Sequence, residues 1–190
     1  MRKIFIVAII MLSLSSCSNI IVHRNFTYCA HDPNNFFTEL RTDGYYFLNT
    51  RDYIAVFLIY KDGTFANLWL GVQTHKEIHQ YFETTSHKVL MDNNMLGWGR
   101  YIITGDTLKA QYIAEKDAPV YNVIEHWYVI KNDSTLQAIK SICRFCKDNS
   151  TWKKGVYVYN TPTYYHLMHY TNKPDSVCWI KKKRWYKCKD

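Results

Sequence analysis

The chain has 190 residues, 47% of them hydrophobic and 16% aromatic, with a formal net charge of +8. This length suits one domain with a hydrophobic core, and an aromatic composition with only 7 Gly and 4 Pro favours β-strands. Much of the positive charge lies after Ile180 and the rest of the chain is nearly balanced, which excludes a basic surface spread over the whole domain.

The N-terminus has the pattern of an export signal. Arg2 and Lys3 precede an apolar run that ends at Leu14, and small residues lead to Cys17. The run is shorter than the about 20 residues that span a bilayer, but it fits a secretory signal. Leu14-Ser-Ser-Cys17 resembles a bacterial lipobox, so we predict a signal peptide at 1–16 and a lipid on Cys17. The alternative is an ordinary secretory signal with an incidental cysteine.

Export determines which partners are expected. The predicted location is the cell envelope, with the outer membrane favoured over the inner, and the lipid on Cys17 is the predicted membrane contact. A Lys- and Trp-rich end such as Lys173–Asp190 suits nucleic acid physically. An exported protein does not meet genomic DNA, so no nucleic-acid partner is predicted. An envelope protein or a glycan is a further candidate partner.

The chain after the signal is predicted to form strands joined by tight turns. Residues 17–40 show no clear period and are interpreted as a tether, and 41–190 as one domain. Hairpin turns are predicted at Asp62-Gly63, Gly105-Asp106 and Asn132-Asp133, each between apolar or alternating runs. Seven or eight consecutive strands without a long helix indicate an all-β fold, an antiparallel up-and-down meander that closes into a barrel.

One segment departs from this pattern. Residues 75–93 are predicted to form a short helix or a long loop, because Ile78, Tyr81 and Phe82 have helical spacing. This segment would cap a barrel mouth.

Four motifs in this order resemble a known group of proteins. They are RTDGYYF (41–47), YKDGTF (60–65), WGRYIITGDTLKAQYI (98–113) and KPDSVCWIKKKRWY (173–186). Behind a lipobox they resemble small lipocalin-like barrel lipoproteins of Gram-negative gut anaerobes. The resemblance implies a calycin-type barrel of about eight strands and an envelope location, and it provides no catalytic residues. It also implies that 173–186 is a closing segment, and we predict Trp179 and Trp185 packed on the barrel with the lysines solvated. The alternative is contact of this segment with anionic lipid headgroups or acidic glycans.

Five cysteines remain besides Cys17. They allow at most two disulfides, in fifteen pairings, and sequence does not choose among Cys29, Cys143, Cys146, Cys178 and Cys188. The Cys143-Arg-Phe-Cys146 spacing is that of a redox motif, which works at the start of a helix. Here it ends a strand-like run, where residues three apart face opposite sides. We therefore predict structural cysteines.

Histidines provide a weak metal candidate. His75 and His79 would share a helix face, and His87 could add a third ligand. The order of residues is not that of a zinc protease, and a polar loop with exposed histidines is the favoured explanation. No cofactor or metal is predicted.

The strands carry candidates for ligand binding. Glu125 and His126 are adjacent, so the interior receives one ionisable group from this pair. A small barrel can enclose one small ligand, and aromatic rings suit an apolar or sugar-like one. The candidate residues are Trp69, Tyr112, Glu125, His126 and Trp127. Two alternatives remain open: a structural or interaction protein with a filled barrel, and an enzyme that uses Glu125 or the His75/His79 pair. No catalytic residue is predicted.

Overall fold

The computed structural model describes residues 26–28, 40–68, 70–85, 96–113, 123–143, 155–176, 179–182 and 186. Its strands are β1 (Gly44–Asn49), β2 (Ile54–Ile59), β3 (Thr64–Leu68), β4 (Leu96–Thr104), β5 (Thr107–Ile113), β6 (Val123–Asn132), β7 (Thr135–Cys143) and β8 (Gly155–His169). Helix α1 (His75–Thr84) lies between β3 and β4, and a 3₁₀ turn (Trp179–Lys182) follows β8. Several residues of the sequence predictions lie outside the described parts: Cys17, Cys29, Trp69, His87, Cys146, Cys178, Trp185 and Cys188.

The eight described strands form a closed antiparallel barrel in sequential order. The three predicted hairpins are confirmed, since β2 pairs with β3, β4 with β5 and β6 with β7. The first and last strands close the barrel through four residue pairs, from Gly44 with His169 to Phe47 with His166. The all-β up-and-down barrel predicted from the sequence is therefore the observed fold.

Turn chemistry explains where the chain reverses. Gly63 and Gly105 have φ values of 82° and 60°, in the left-handed region that a side chain disfavours. In the first of these turns, Asp62 Oδ1 accepts a hydrogen bond from the Thr64 amide at 2.9 Å. The side chain thus stabilises the turn that the Asp-Gly pair predicts.

Aromatic rings fill the middle of the barrel. One cluster takes its buried residues from β1 to β7, and Tyr159, Tyr165 and Leu167 of β8 pack against it, so the cluster lies in the interior. Phe57 of β2 has its ring centroid 5.2 Å from that of Tyr128 on β6, which is the opposite strand of an eight-stranded barrel. It also lies 5.3 Å from Phe65 and 4.9 Å from Tyr165. These contacts span the space that a central ligand would need.

A second layer packs on the outside of β1 to β4. The outward residues of these strands, such as Ala66 and Leu68, are buried under α1 and the two terminal segments. The covering residues are Phe26, Ile78, Phe82, Trp179, Ile180 and Tyr186. The predicted packing of Trp179 is confirmed, since this side chain is buried. On β3, Ala66 and Leu68 face this outer layer, whereas Phe65 points inward.

Helix α1 begins with a capping box. Thr74 accepts from the Glu77 amide, and the Glu77 carboxylate accepts from the Thr74 amide at 2.9 Å. This confirms the short helix predicted at the start of 75–93. The helix lies against the outside of the barrel near β1 and β2, as its buried Ile78 and Phe82 show.

Candidate functional site

Glu125 and His126 lie on opposite faces of β6, as strand alternation requires. His126 points into the barrel and its Nε2 lies 2.9 Å from the Tyr112 hydroxyl. The two rings are stacked with centroids 5.4 Å apart. The Asn67 amide donates to the same hydroxyl at 3.0 Å. Two ligand candidates, Tyr112 and His126, are therefore brought together in the interior.

The donors in these hydrogen bonds determine where the protons of Tyr112 and His126 lie. Because Asn67 donates to the Tyr112 oxygen, the hydroxyl hydrogen is free to go to His126 Nε2, which must then be unprotonated. Burial lowers the pKa of His126 to about 4, and burial raises the pKa of Tyr112. Both groups are neutral at pH 7, so the arrangement fixes ring positions and is not poised for proton transfer at that pH.

Glu125 points outward and is buried, with 6% of its surface exposed. Its carboxylate accepts from Gln111 Nε2 at 2.9 Å and from the Trp127 indole. Gln111 in turn accepts from the Thr27 amide at 2.7 Å. The carboxylate thus belongs to a network that holds residues 26–28, part of the predicted tether, against the barrel.

Trp127 also points outward, beside Glu125. The Nζ atoms of Lys109 and Lys140 lie 4.3 Å and 3.4 Å from its ring centroid. Such cation–π contacts fix an indole ring at a surface. Glu125 and Trp127 are therefore together, on the opposite side of the sheet from Tyr112 and His126, and the five ligand candidates do not form one site.

His75 and His79 share one face of α1, and both contact one hydroxyl. Tyr45 Oη lies 2.9 Å from His75 Nδ1 and 3.1 Å from His79 Nε2. Tyr170 stacks on His79 with ring centroids 4.2 Å apart. Burial, with a contribution from His79, lowers the pKa of His75. The hydroxyl lies between the imidazoles, and the described residues contain no group of three His, Cys, Asp or Glu that could hold a metal.

Open cavities lie at the two ends of the barrel. One, of about 560 Å³, lies between the β1–β2 turn and the start of α1, and its lining includes Asn49, Asp52, Tyr53 and His75. Another, of about 360 Å³, lies beside the β2–β3 turn. Both lie outside the aromatic cluster of the interior.

Lys173 lines the smaller cavity and was not a candidate from sequence. Its ammonium donates to the Thr42 carbonyl at 2.7 Å and to the Ile59 carbonyl. It lies 4.2 Å from the Tyr60 ring centroid. Burial lowers its pKa to about 7. Sequence gives no signal for this role, because a lysine before a proline in a turn is ordinarily exposed. The side chain ties the segment after β8 to the ends of β1 and β2.

Cys143 is disulfide-bonded and buried at the end of β7. All other cysteines lie outside the described residues, so the predicted fate of the Cys143-Cys146 motif stays a prediction. No helix in the described ranges combines the length and apolar character needed to cross a membrane.

Comparisons with protein families, curated proteins and solved structures found no match to this chain.

Proposed function

We propose that this protein is a lipid-anchored component of the bacterial cell envelope whose barrel is a packed scaffold, with its function on the outer surface. The observation that carries the scaffold role is the contact of Phe57 with Tyr128 across the barrel, at 5.2 Å between centroids. A barrel that holds a central ligand leaves this space open. The proposal thus favours the interaction protein over the container among the functions that the sequence left open.

The envelope location rests on two independent features. The stretch from Leu14 to Cys17 resembles a lipobox, which is a signal for lipid attachment. The disulfide at Cys143 supports an oxidising compartment, since cytosolic thiols are kept reduced. Together with the four motifs of the sequence, these features support membership of the lipocalin-like barrel lipoproteins.

The anchor is tested by replacing Cys17 with Ser and labelling cells with a palmitate analogue. We expect the label on the parent and its loss from Cys17→Ser, with the variant released from the membrane fraction. Ser15→Ala is the matched control, since it retains the cysteine and small residues before it. Equal label on parent and Cys17→Ser would contradict the anchor.

A second candidate function is binding of a small sugar-like ligand at the 560 Å³ cavity. The observation in its favour is Tyr53, which is 48% exposed and lines the cavity beside polar side chains. An exposed ring next to hydrogen-bonding groups suits a saccharide face. Chemical-shift changes at Tyr53 on addition of cell-wall saccharides, lost in Tyr53→Ala, would support it. Unchanged shifts at millimolar saccharide would exclude it.

A further inference from the structure

The outer face of β5 to β8 carries one continuous row of paired side chains. Lys109 is the direct partner of Trp127, Trp127 of Lys140 and Lys140 of Val158. Direct partners in antiparallel strands project from the same face of the sheet. The row therefore places one indole between two ammonium groups and ends in a valine.

Exposed apolar groups extend this row. Ile142 pairs with Val156 in the adjacent row. Val156 and Val158 are 63% and 55% exposed, which is unusual for valines in a barrel strand. The surface that combines these features is the basic–aromatic patch, formed by Lys109, Trp127, Lys140, Ile142, Val156 and Val158.

The N-terminal segment lies against the edge of this patch. Thr27 binds Gln111, which is two residues from Lys109 on the same face of β5. Cys17 precedes Phe26 by nine residues, which span at most about 30 Å when extended. A lipid on Cys17 would therefore hold a bilayer within about 30 Å of the point where the chain reaches the barrel.

We propose that the basic–aromatic patch docks on the headgroups of an anionic bilayer. This inference rests on the lipid anchor of the proposed function. Lysines attract anionic headgroups, indole rings favour the membrane interface, and exposed valines gain from contact with its apolar side. Glu125 is the only acidic residue within strands β5 to β8, and it is buried and bonded to Gln111 and Trp127.

The lysines elsewhere differ in their surroundings and offer a matched control. Lys61 and Lys182 are exposed and lie at the β2–β3 turn and in the 3₁₀ turn, away from the patch. Replacing this pair removes the same charge as replacing Lys109 and Lys140. If binding weakens only when Lys109 and Lys140 are replaced, the position of the lysines is responsible and not the net charge.

The test uses the chain from Ser18 onward, which keeps every described residue, and measures co-sedimentation with vesicles of 30% phosphatidylglycerol in phosphatidylcholine. Each patch lysine should contribute about fivefold. We expect Lys109→Gln with Lys140→Gln to weaken binding about 25-fold, and Lys61→Gln with Lys182→Gln to have less effect. Pure phosphatidylcholine vesicles should bind weakly in every case.

A second variant distinguishes a loss of binding from a loss of the fold. Val158→Glu adds a carboxylate at a side chain that is already exposed, so the fold should persist while binding falls. The proposal would be overturned if the two lysine pairs lost vesicle binding equally, or if Val158→Glu bound vesicles like the parent. Binding to soluble heparin without binding to vesicles would assign it to an acidic polysaccharide and also overturn the proposal. These results are independent of the palmitate label, so failure of the patch and failure of the anchor are distinguishable.

Discussion

The contact between Tyr112 and His126 shows how one inward-facing side chain couples the fold to pH. Nε2 of His126 accepts from a hydroxyl that already accepts from Asn67, so the geometry requires a neutral imidazole. The pKa of about 4 lies below the about 6.5 of an unfolded histidine. Between these values the unfolded chain binds more protons than the folded one. The stability from this group is therefore complete above about pH 6.5 and is lost as the pH falls through 4.

We expect the free energy of unfolding to fall by about 2 kcal/mol from His126 alone between pH 7.5 and pH 5. Urea unfolding at both pH values measures the total fall. In His126→Gln, which keeps an amide oxygen as acceptor and does not titrate, the fall should be smaller by this amount. The same pH dependence in parent and variant would show that His126 does not carry it.

Tyr45 has a comparable role on the outside of the barrel. Its hydroxyl bridges two imidazoles of α1 while its ring is fully buried. We expect Tyr45→Phe to lower the free energy of unfolding by about 1–2 kcal/mol, because two hydrogen bonds are lost. The control is Tyr53→Phe at an exposed ring, where the change should be below about 0.5 kcal/mol. Equal melting curves for the two variants would contradict the bridging role.

Two segments outside the sheet act as structural elements although neither is a strand. Helix α1 and the segment around Trp179 cover the outward face of β1 to β4, which would otherwise expose Val56, Leu58 and Trp98. Lys181 of the same segment binds Asp62 and Ser176. The closing segment is thus held at the β2–β3 turn as well as by its apolar side chains, and Lys181 is less solvated than the sequence predicted.

Trp179→Ala should lower the free energy of unfolding by about 3 kcal/mol, the usual cost of removing a buried large side chain. Lys182→Gln, three residues further along the same segment, should change it by less than about 0.5 kcal/mol because that side chain is exposed. Chemical denaturation of both variants tests the contrast. A parent-like curve for Trp179→Ala would mean that the segment contributes nothing to the fold.

The described residues form a barrel that is filled by its own side chains and covered on the outside of β1 to β4. Phe57 is central, because it contacts rings from β1, β3, β6 and β8. Removing it should leave a space bounded by apolar side chains, and such cavities stay dry and accept small apolar molecules.

We therefore expect Phe57→Ala to bind benzene, seen as a rise in melting temperature with benzene concentration, while the parent does not respond. The variant itself should be less stable by about 3–5 kcal/mol. If benzene already stabilises the parent chain, the interior is open, and the proposal that the barrel is a packed scaffold is contradicted.

Strand order was predictable and the position of the core was only partly so. The Asp62-Gly63 and Gly105-Asp106 turns have a local cause in positive φ, so the sequence indicates them directly. Alternation correctly separates His126 from Glu125, but it does not indicate which face points inward. On β3 residues of both faces are buried, because the outer face is covered by segments far away in sequence. The roles of Lys173 and Tyr45 could not be predicted for the same reason, because their contacts join segments far apart in sequence.

The order of the strands has a consequence for how the chain folds. Every pairing joins consecutive strands except that of β1 with β8, which brings residue 44 to residue 169. Closing so long a loop has a large entropic cost, and only four residue pairs between β1 and β8 compensate for that cost. The seam should therefore form after the rate-limiting step of folding. Substitutions along the seam would speed unfolding and leave the folding rate nearly unchanged.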